Sequence, residues 1–311
     1  SRFYLRTAAT AVRGGLPEEL ALKAVTLYPA QVMRLDDRIG SLEKGKDADF
    51  VVLSGEPFSV YTRVLATYID GTKVFDLGDE KLRLYQTGGF AVADRSMVPA
   101  ERPAARPSPP LRPPQIISGH AAATPEASTF VILAGRIHTV ANGTIENGAI
   151  LVRDGTIAGV GRREDVAIPE GVPVLAAAVV TPGLIDAHGV VPLAGEYAIP
   201  ADSDEDEKSD PNQADVRTLD GFNPREPLLR YLLEQGVTIV HACPGRANVI
   251  AGMTGVFHTS GGSAEQMAVR VPQAMLFNLG ADPKQAYDGK RPSTRMGTAA
   301  LVRQALADAA N

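Results

Sequence analysis

A proline-dense stretch divides this chain, and it limits the fold more than any other feature. Residues Val98 to Ser128 hold 8 of the 23 prolines, with Arg102, Arg106 and Arg112 set among them. Proline lacks a backbone donor and fixes φ, so neither a helix nor a sheet interior tolerates that density. An extended, exposed connector is expected, reaching about 90 Å in a polyproline-like form. It reads as a spacer rather than a docking site for a proline-recognising domain. The stretches on either side, 1–97 and 129–311, must then find partners for their own apolar faces.

The first stretch opens with helical spacing. Phe3, Tyr4, Leu5, Ala8, Ala9 and Val12 share a face, and Gly14-Gly15 ends it. Pro17-Glu18-Glu19 suits the first turn of a second helix, where proline loses no bond and acids meet the positive dipole end. Leu20, Leu22, Val25, Leu27 and Val32 form its expected buried stripe. After Gly40 the period shortens to that of strands. Phe50 to Leu53 reads as a buried strand, and Val64–Ile69 and Lys73–Phe75 flank an Asp70-Gly71 hairpin turn.

The second stretch restarts with strands. Phe130–Leu133, Gly148–Val152, Thr156–Val160 and Val172–Val180 are β-rich, with Asp154-Gly155 forming a second hairpin turn. Residues 129–180 form one block, and 181–311 another. In the latter, Leu184 to His188 and Val237 to His241 are apolar strands that each end in histidine. Pro224 to Glu234 lies between them as a helix, with Asn223 as the expected N-cap. From there the pattern predicts alternating helix and strand, as in βα units. Helices are expected at Ser263–Arg270, Pro283–Tyr287 and Thr298–Ala310.

Composition removes several function classes. A net charge of −5 and a pI near 5.6 argue against a broad nucleic-acid-binding face. Without Trp and with 5% aromatics, a stacking platform for bases or sugars is not expected. No apolar run is long enough to span a bilayer. One cysteine, Cys243, forbids an internal disulfide or an all-cysteine zinc cluster, and it reads as a small buried residue. What remains is a small-ligand protein.

His188 and His241 are the candidate metal ligands, because each lies where a buried strand ends, the edge at which parallel α/β folds bind ligands. His120 falls in the connector, and His138 and His258 read as structural. The acidic run Asp202, Asp204, Glu205, Asp206, Glu207 and Asp210 lacks the glycine-punctuated loop of a calcium site and reads as a solvated insertion.

The segment Thr181-Pro182-Gly183-Leu184-Ile185-Asp186-Ala187-His188 resembles the first barrel strand of the amidohydrolase superfamily, which usually ends His-x-His. The β-rich lead-in Gly135-Arg136-Ile137-His138 through Gly161 is similar as well. Gly40-Ser41-Leu42-Glu43-Lys44-Gly45-Lys46-Asp47-Ala48-Asp49-Phe50-Val51-Val52-Leu53 resembles that superfamily's C-terminal signature, and the imidazolonepropionase-like branch is nearest in pattern. The resemblance implies an α/β fold with partial (β/α)₈ TIM-barrel elements and a small composite β-sandwich. It also implies divalent metal, zinc first and iron or manganese next.

The motifs stand in inverted order, as at the junction of two tandem units. Residues 1–97 would be the C-terminal part of one unit, with the sandwich strands of the next at 129–180 and its barrel start at 181–311. His188 matches the first histidine of His-x-His, but Val190 stands in place of the second. The family's ligands after strands 4, 5, 6 and 8 have no counterpart, so no catalytic residue is assigned. Two readings follow. One is a metal-dependent hydrolase of C–N bonds, including cyclic amides, of which this chain is an incomplete and by itself inactive portion. The other is a non-catalytic binding or scaffold module. Expected partners are a small amide-type substrate and either a second copy or the remainder of the protein, with neither nucleic acid nor membrane.

Overall fold

The structure, a computed structural model, describes residues 4–79, 82, 129–196, 199–287 and 289–310. The proline-rich connector and His120 lie outside the described residues.

Helices α1 (Tyr4–Arg13), α2 (Glu18–Ala24) and α3 (Leu27–Val32) open the chain. The expected stripe is broken, because the helix stops at Val25 and restarts on the far side of Thr26. Thr26 Oγ1 donates to the Leu22 carbonyl at 2.7 Å, a side-chain bond that competes with the helix ladder. Leu22 and Ala30 are buried, whereas Leu20 and Val32 face solvent.

Strands β1 (Phe50–Leu53), β2 (Val64–Ile69) and β3 (Thr72–Asp76) follow. Beyond the connector come β4 (Thr129–His138), β5 (Thr144–Arg153), β6 (Thr156–Arg162) and β7 (Val174–Pro182). All seven hydrogen-bond into one sheet of order β3-β2-β1-β7-β4-β5-β6. The seam is β1 against β7, antiparallel, with Phe50 opposite Pro182 and Leu53 opposite Val179. Neither stretch could close this sheet alone, which is the pairing that their unpartnered apolar faces predict. Phe50 stacks on Tyr68 at 4.5 Å and packs with Phe130 and Ile150, so one core draws on both sides of the connector.

Both Asp-Gly turns take the left-handed backbone that such hairpins require. Asp70 and Gly71 have φ of 47° and 69°, and Asp154 and Gly155 have 49° and 75°. The two turns pack against one another through the signature loop. Gly71 N–H donates to Ala48, and Ala48 N–H donates to Gly155, at 3.0 and 2.8 Å.

Past Pro182 the chain enters β8 (Leu184–Gly189), α4 (Thr218–Gly221), α5 (Pro227–Glu234) and β9 (Val237–Ala242). β8 and β9 are parallel, with α5 as the crossover. The helix starts later than Asn223-Pro224 predicts. Asn223 instead closes a turn by accepting from Arg225 N–H, and Glu226 caps α5 by accepting from Leu228 N–H. Then the expected βα alternation stops. Strands β10 (Ile250–Met253) and β11 (Gly255–His258) come directly, and β11 returns antiparallel to β9. Pro244-Gly245 and the left-handed Gly252, at φ 115°, turn the chain back before a helix can form. Helix α6 (Ala264–Met267) yields after one turn to β12 (Ala268–Arg270), shortening the helix expected there. β13 (Met275–Phe277), α7 (Asp282–Gln285) and α8 (Arg295–Ala310) complete the order. The second sheet runs β12-β11-β9-β8, so β8–α5–β9 is its single parallel unit.

The first stretch also packs on this second sheet. Ala30, Met33, Leu35 and Ile39 share a core with Ile185, Ile239 and Val256. The Tyr4 hydroxyl donates to the Ile185 carbonyl, and Thr67 Oγ1 donates to the Leu233 carbonyl at 2.8 Å.

Candidate functional site

Two places gather chemistry-bearing side chains, at opposite ends of the second sheet. The first is the C-terminal edge of β8 and β9. Apolar runs bury Leu184, Ile185, Val237, Ile239 and Val240, so the strands are anchored where they leave the core. Their last residues are freed to carry polar groups. Asp186 and His188 emerge from β8, His188 exposed, with its N–H 3.3 Å from Asp186 Oδ1. His241 stands on the neighbouring strand, as its position predicts.

The His241 ring is already engaged on both sides. Nδ1 lies 3.0 Å from the Ala187 carbonyl, which only accepts, so Nδ1 carries a proton. Nε2 lies 2.8 Å from Thr254 Oγ1. Burial, opposed by the Ala187 carbonyl and reinforced by nearby His188, holds its pKa below the ordinary histidine value. Behind it Cys243 is buried, and burial followed by the Asp186 charge pushes its thiol up to about 12. Such a thiol is no nucleophile at neutral pH.

Zinc requires at least three protein ligands. Asp186, His188 and His241 do not bring three donors together among the described residues. A zinc ion therefore lacks a third ligand at this edge among the described residues.

The second place lies at the other end of the same sheet, because β11 runs opposite to β9. There Asp49, Asp70 and His258 each offer one donor atom within 4.8 Å of the others. His258 is buried at the end of β11, Asp49 is buried at the entry to β1, and Asp70 is exposed at the β2–β3 turn. In the sequence His258 reads as structural, and neither aspartate reads as a ligand. Asp49 belongs to the signature and Asp70 to a hairpin turn, but nothing in their spacing joins them to a histidine on a distant strand. His138, also read as structural, faces Glu56 Oε2 at 3.2 Å on the first sheet. The acidic run is less solvated than expected. Asp206 accepts from Ala247 N–H at 2.9 Å and fills the space beside Gly245.

The C-terminal ends of parallel strands are the edge at which open α/β folds commonly bind their ligands. Residues 5–75 match the model of the amidohydrolase family. The chain is 39% identical over 69 residues to amidohydrolase tasK of Hapsidospora irregularis, covering 22% of this chain and 7% of that protein. It is 43% identical over 67 residues to N-acetylglucosamine-6-phosphate deacetylase of Bos taurus, covering 22% and 15%. The crystal structure of an amidohydrolase from Thermotoga maritima MSB8 superposes with a TM-score of 0.54 at 30% identity, over 58% of this chain and 47% of that one. These matches support a likeness to the amidohydrolase superfamily over the parts of the chain that they cover. The chain covers well under two thirds of the length of each of these relatives.

Proposed function

We propose that the protein to which this chain belongs hydrolyses C–N bonds in small amide-type substrates, cyclic amides included. The observation that carries the reading is the β8–α5–β9 unit, which sets Asp186, His188 and His241 at one strand edge. In this reading His188, exposed and with no ring contact fixing it elsewhere among the described side chains, faces the substrate side. His241, locked by Ala187 and Thr254, holds the edge in shape. The metal expected of the superfamily, zinc before iron or manganese, would need ligands beyond the described residues, so the chain by itself would not turn substrate over.

A second reading, a non-catalytic binding or scaffold module, draws on the other half of the same observation. Val190 stands where the second histidine of His-x-His belongs, and both nitrogens of His241 are occupied. The test is metal analysis of the full-length protein beside an assay on cyclic amides and N-acyl amines. Stoichiometric zinc, iron or manganese, with turnover abolished in His188→Ala, is the expected result. A protein with neither turnover nor a His188-dependent metal is the scaffold.

A further inference from the structure

We propose that Asp49, Asp70 and His258 form a divalent-cation site, best suited to zinc, that clamps the β2–β3 turn to the end of β11. The site is separate from the strand edge that bears His188, and the inference does not depend on the proposed hydrolase activity.

The first argument is distance. His258 Nε2 stands 3.4 Å from Asp49 Oδ2, and Nδ1 stands 3.6 Å from Asp70 Oδ2. A direct imidazolium–carboxylate hydrogen bond closes to about 2.7–2.9 Å. Two donors on one tetrahedral cation, with bonds of about 2.0–2.2 Å, stand about 3.4 Å apart. The Nε2–Asp49 spacing is that of two ligands around one ion rather than partners sharing a proton, while Asp70 faces the other ring nitrogen.

The second argument is orphaned polarity. The His258 side chain is 9% exposed and that of Asp49 is 4% exposed. Nε2 of the one and Oδ2 of the other have no hydrogen-bond partner among the described residues, although each faces the other. A buried ion pair held open at 3.4 Å leaves both atoms incompletely satisfied, and a cation between them would complete both. Asp49 is itself held in place, because its Oδ1 accepts from Asp70 N–H at 2.9 Å.

The third argument is the donor set. Two carboxylates and one imidazole suit zinc, with manganese next, and an open position remains for water. One imidazole gives a cation one nitrogen, so one aspartate must close in. Asp70, whose side chain is 53% exposed on its turn, has that freedom. The charged groups facing the site are Asp49, Asp70, Asp47 and Arg38. Asp47 is engaged by Arg38 at 2.7 Å, which leaves the other two carboxylates for the ion. Loading expels any proton from the imidazole, so uptake strengthens as pH rises.

The experiment is a zinc chloride titration of the chelator-treated chain by calorimetry, repeated with cobalt to read the visible absorption of a tetrahedral site. One zinc per chain is expected at this site, together with a raised thermal midpoint. Asp70→Asn is the principal variant, because Asn tolerates the left-handed φ of 47° and keeps the turn. It should weaken binding by about tenfold or more and abolish the cobalt spectrum, as should His258→Gln. His188→Ala should change neither. Absence of zinc uptake, or uptake that Asp70→Asn leaves unchanged while the variant stays folded, overturns the proposal. In that outcome His258 is an imidazolium between two aspartates and nothing more.

Discussion

Thr238 occupies the space that any side chain at Gly183 would need. A Cβ at Gly183 would stand 2.8 Å from Thr238 Cβ and closer still to its hydroxyl. The turn between the two sheets is therefore made by glycine for want of room, and not for want of backbone freedom. Gly183→Ala should destabilise the chain by about 1–3 kcal/mol, as overpacking does. Adding Thr238→Ala should recover most of that loss, since it vacates the space and removes a buried hydroxyl with no hydrogen-bond partner among the described residues. Urea unfolding of the two single variants and the double variant measures this. Additive losses would mean that Thr238 is not the obstacle.

The seam between the two stretches offers a second expectation. Phe50 is fully buried and stacks on Tyr68 within a core that Phe130 and Ile132 share. Phe50→Ala should cost about 3–5 kcal/mol. Fluorescence from the tyrosines on both sides of the connector should report one transition, because one sheet holds both. Two separate transitions in the wild type would count against a shared core.

Cys243 should resist thiol reagents. Buried, with its pKa pushed up to about 12, it presents almost no thiolate at neutral pH. Reaction with Ellman's reagent near pH 8 should be negligible in the native chain and complete on addition of guanidinium. Fast native labelling would mean that the C-terminal end of β9 opens readily.

His241 makes stability sensitive to acid. Its pKa is held below the ordinary 6.5, chiefly by burial, so the folded chain takes up this proton less readily than the unfolded one. Its contribution is whole above about pH 6.5 and drains as pH falls from there towards the folded pKa. With metal chelated, the thermal midpoint should drop more between about pH 7.5 and 5.5 in the wild type than in His241→Gln. Equal drops would show that the ring is solvated.

What the sequence made legible was local. The Asp70-Gly71 and Asp154-Gly155 turns were readable because a type I′ turn asks for those residues and little else. The strand ends at His188 and His241 were readable because a long apolar run followed by a polar residue has few other uses. Elements whose fate depends on distant neighbours were not. Nothing in Gly255–His258 announces that it returns antiparallel beside β9, and that register alone carries His258 to Asp49 and Asp70. Val32 keeps helical spacing yet ends in solvent, because Thr26 breaks the helix and rotates the face that follows.

The β1–β7 seam also sets a timetable. On the ribosome, β1 emerges with an unpaired edge, and its partner β7 follows ~130 residues later. At about 5–20 residues per second, that edge waits on the order of ten seconds. An apolar strand exposed for that long recruits whatever strand it meets first, including the same segment of a neighbouring nascent chain. Yield on overexpression should therefore be governed less by the stability of the finished sheet than by how well β1 is shielded until β7 arrives.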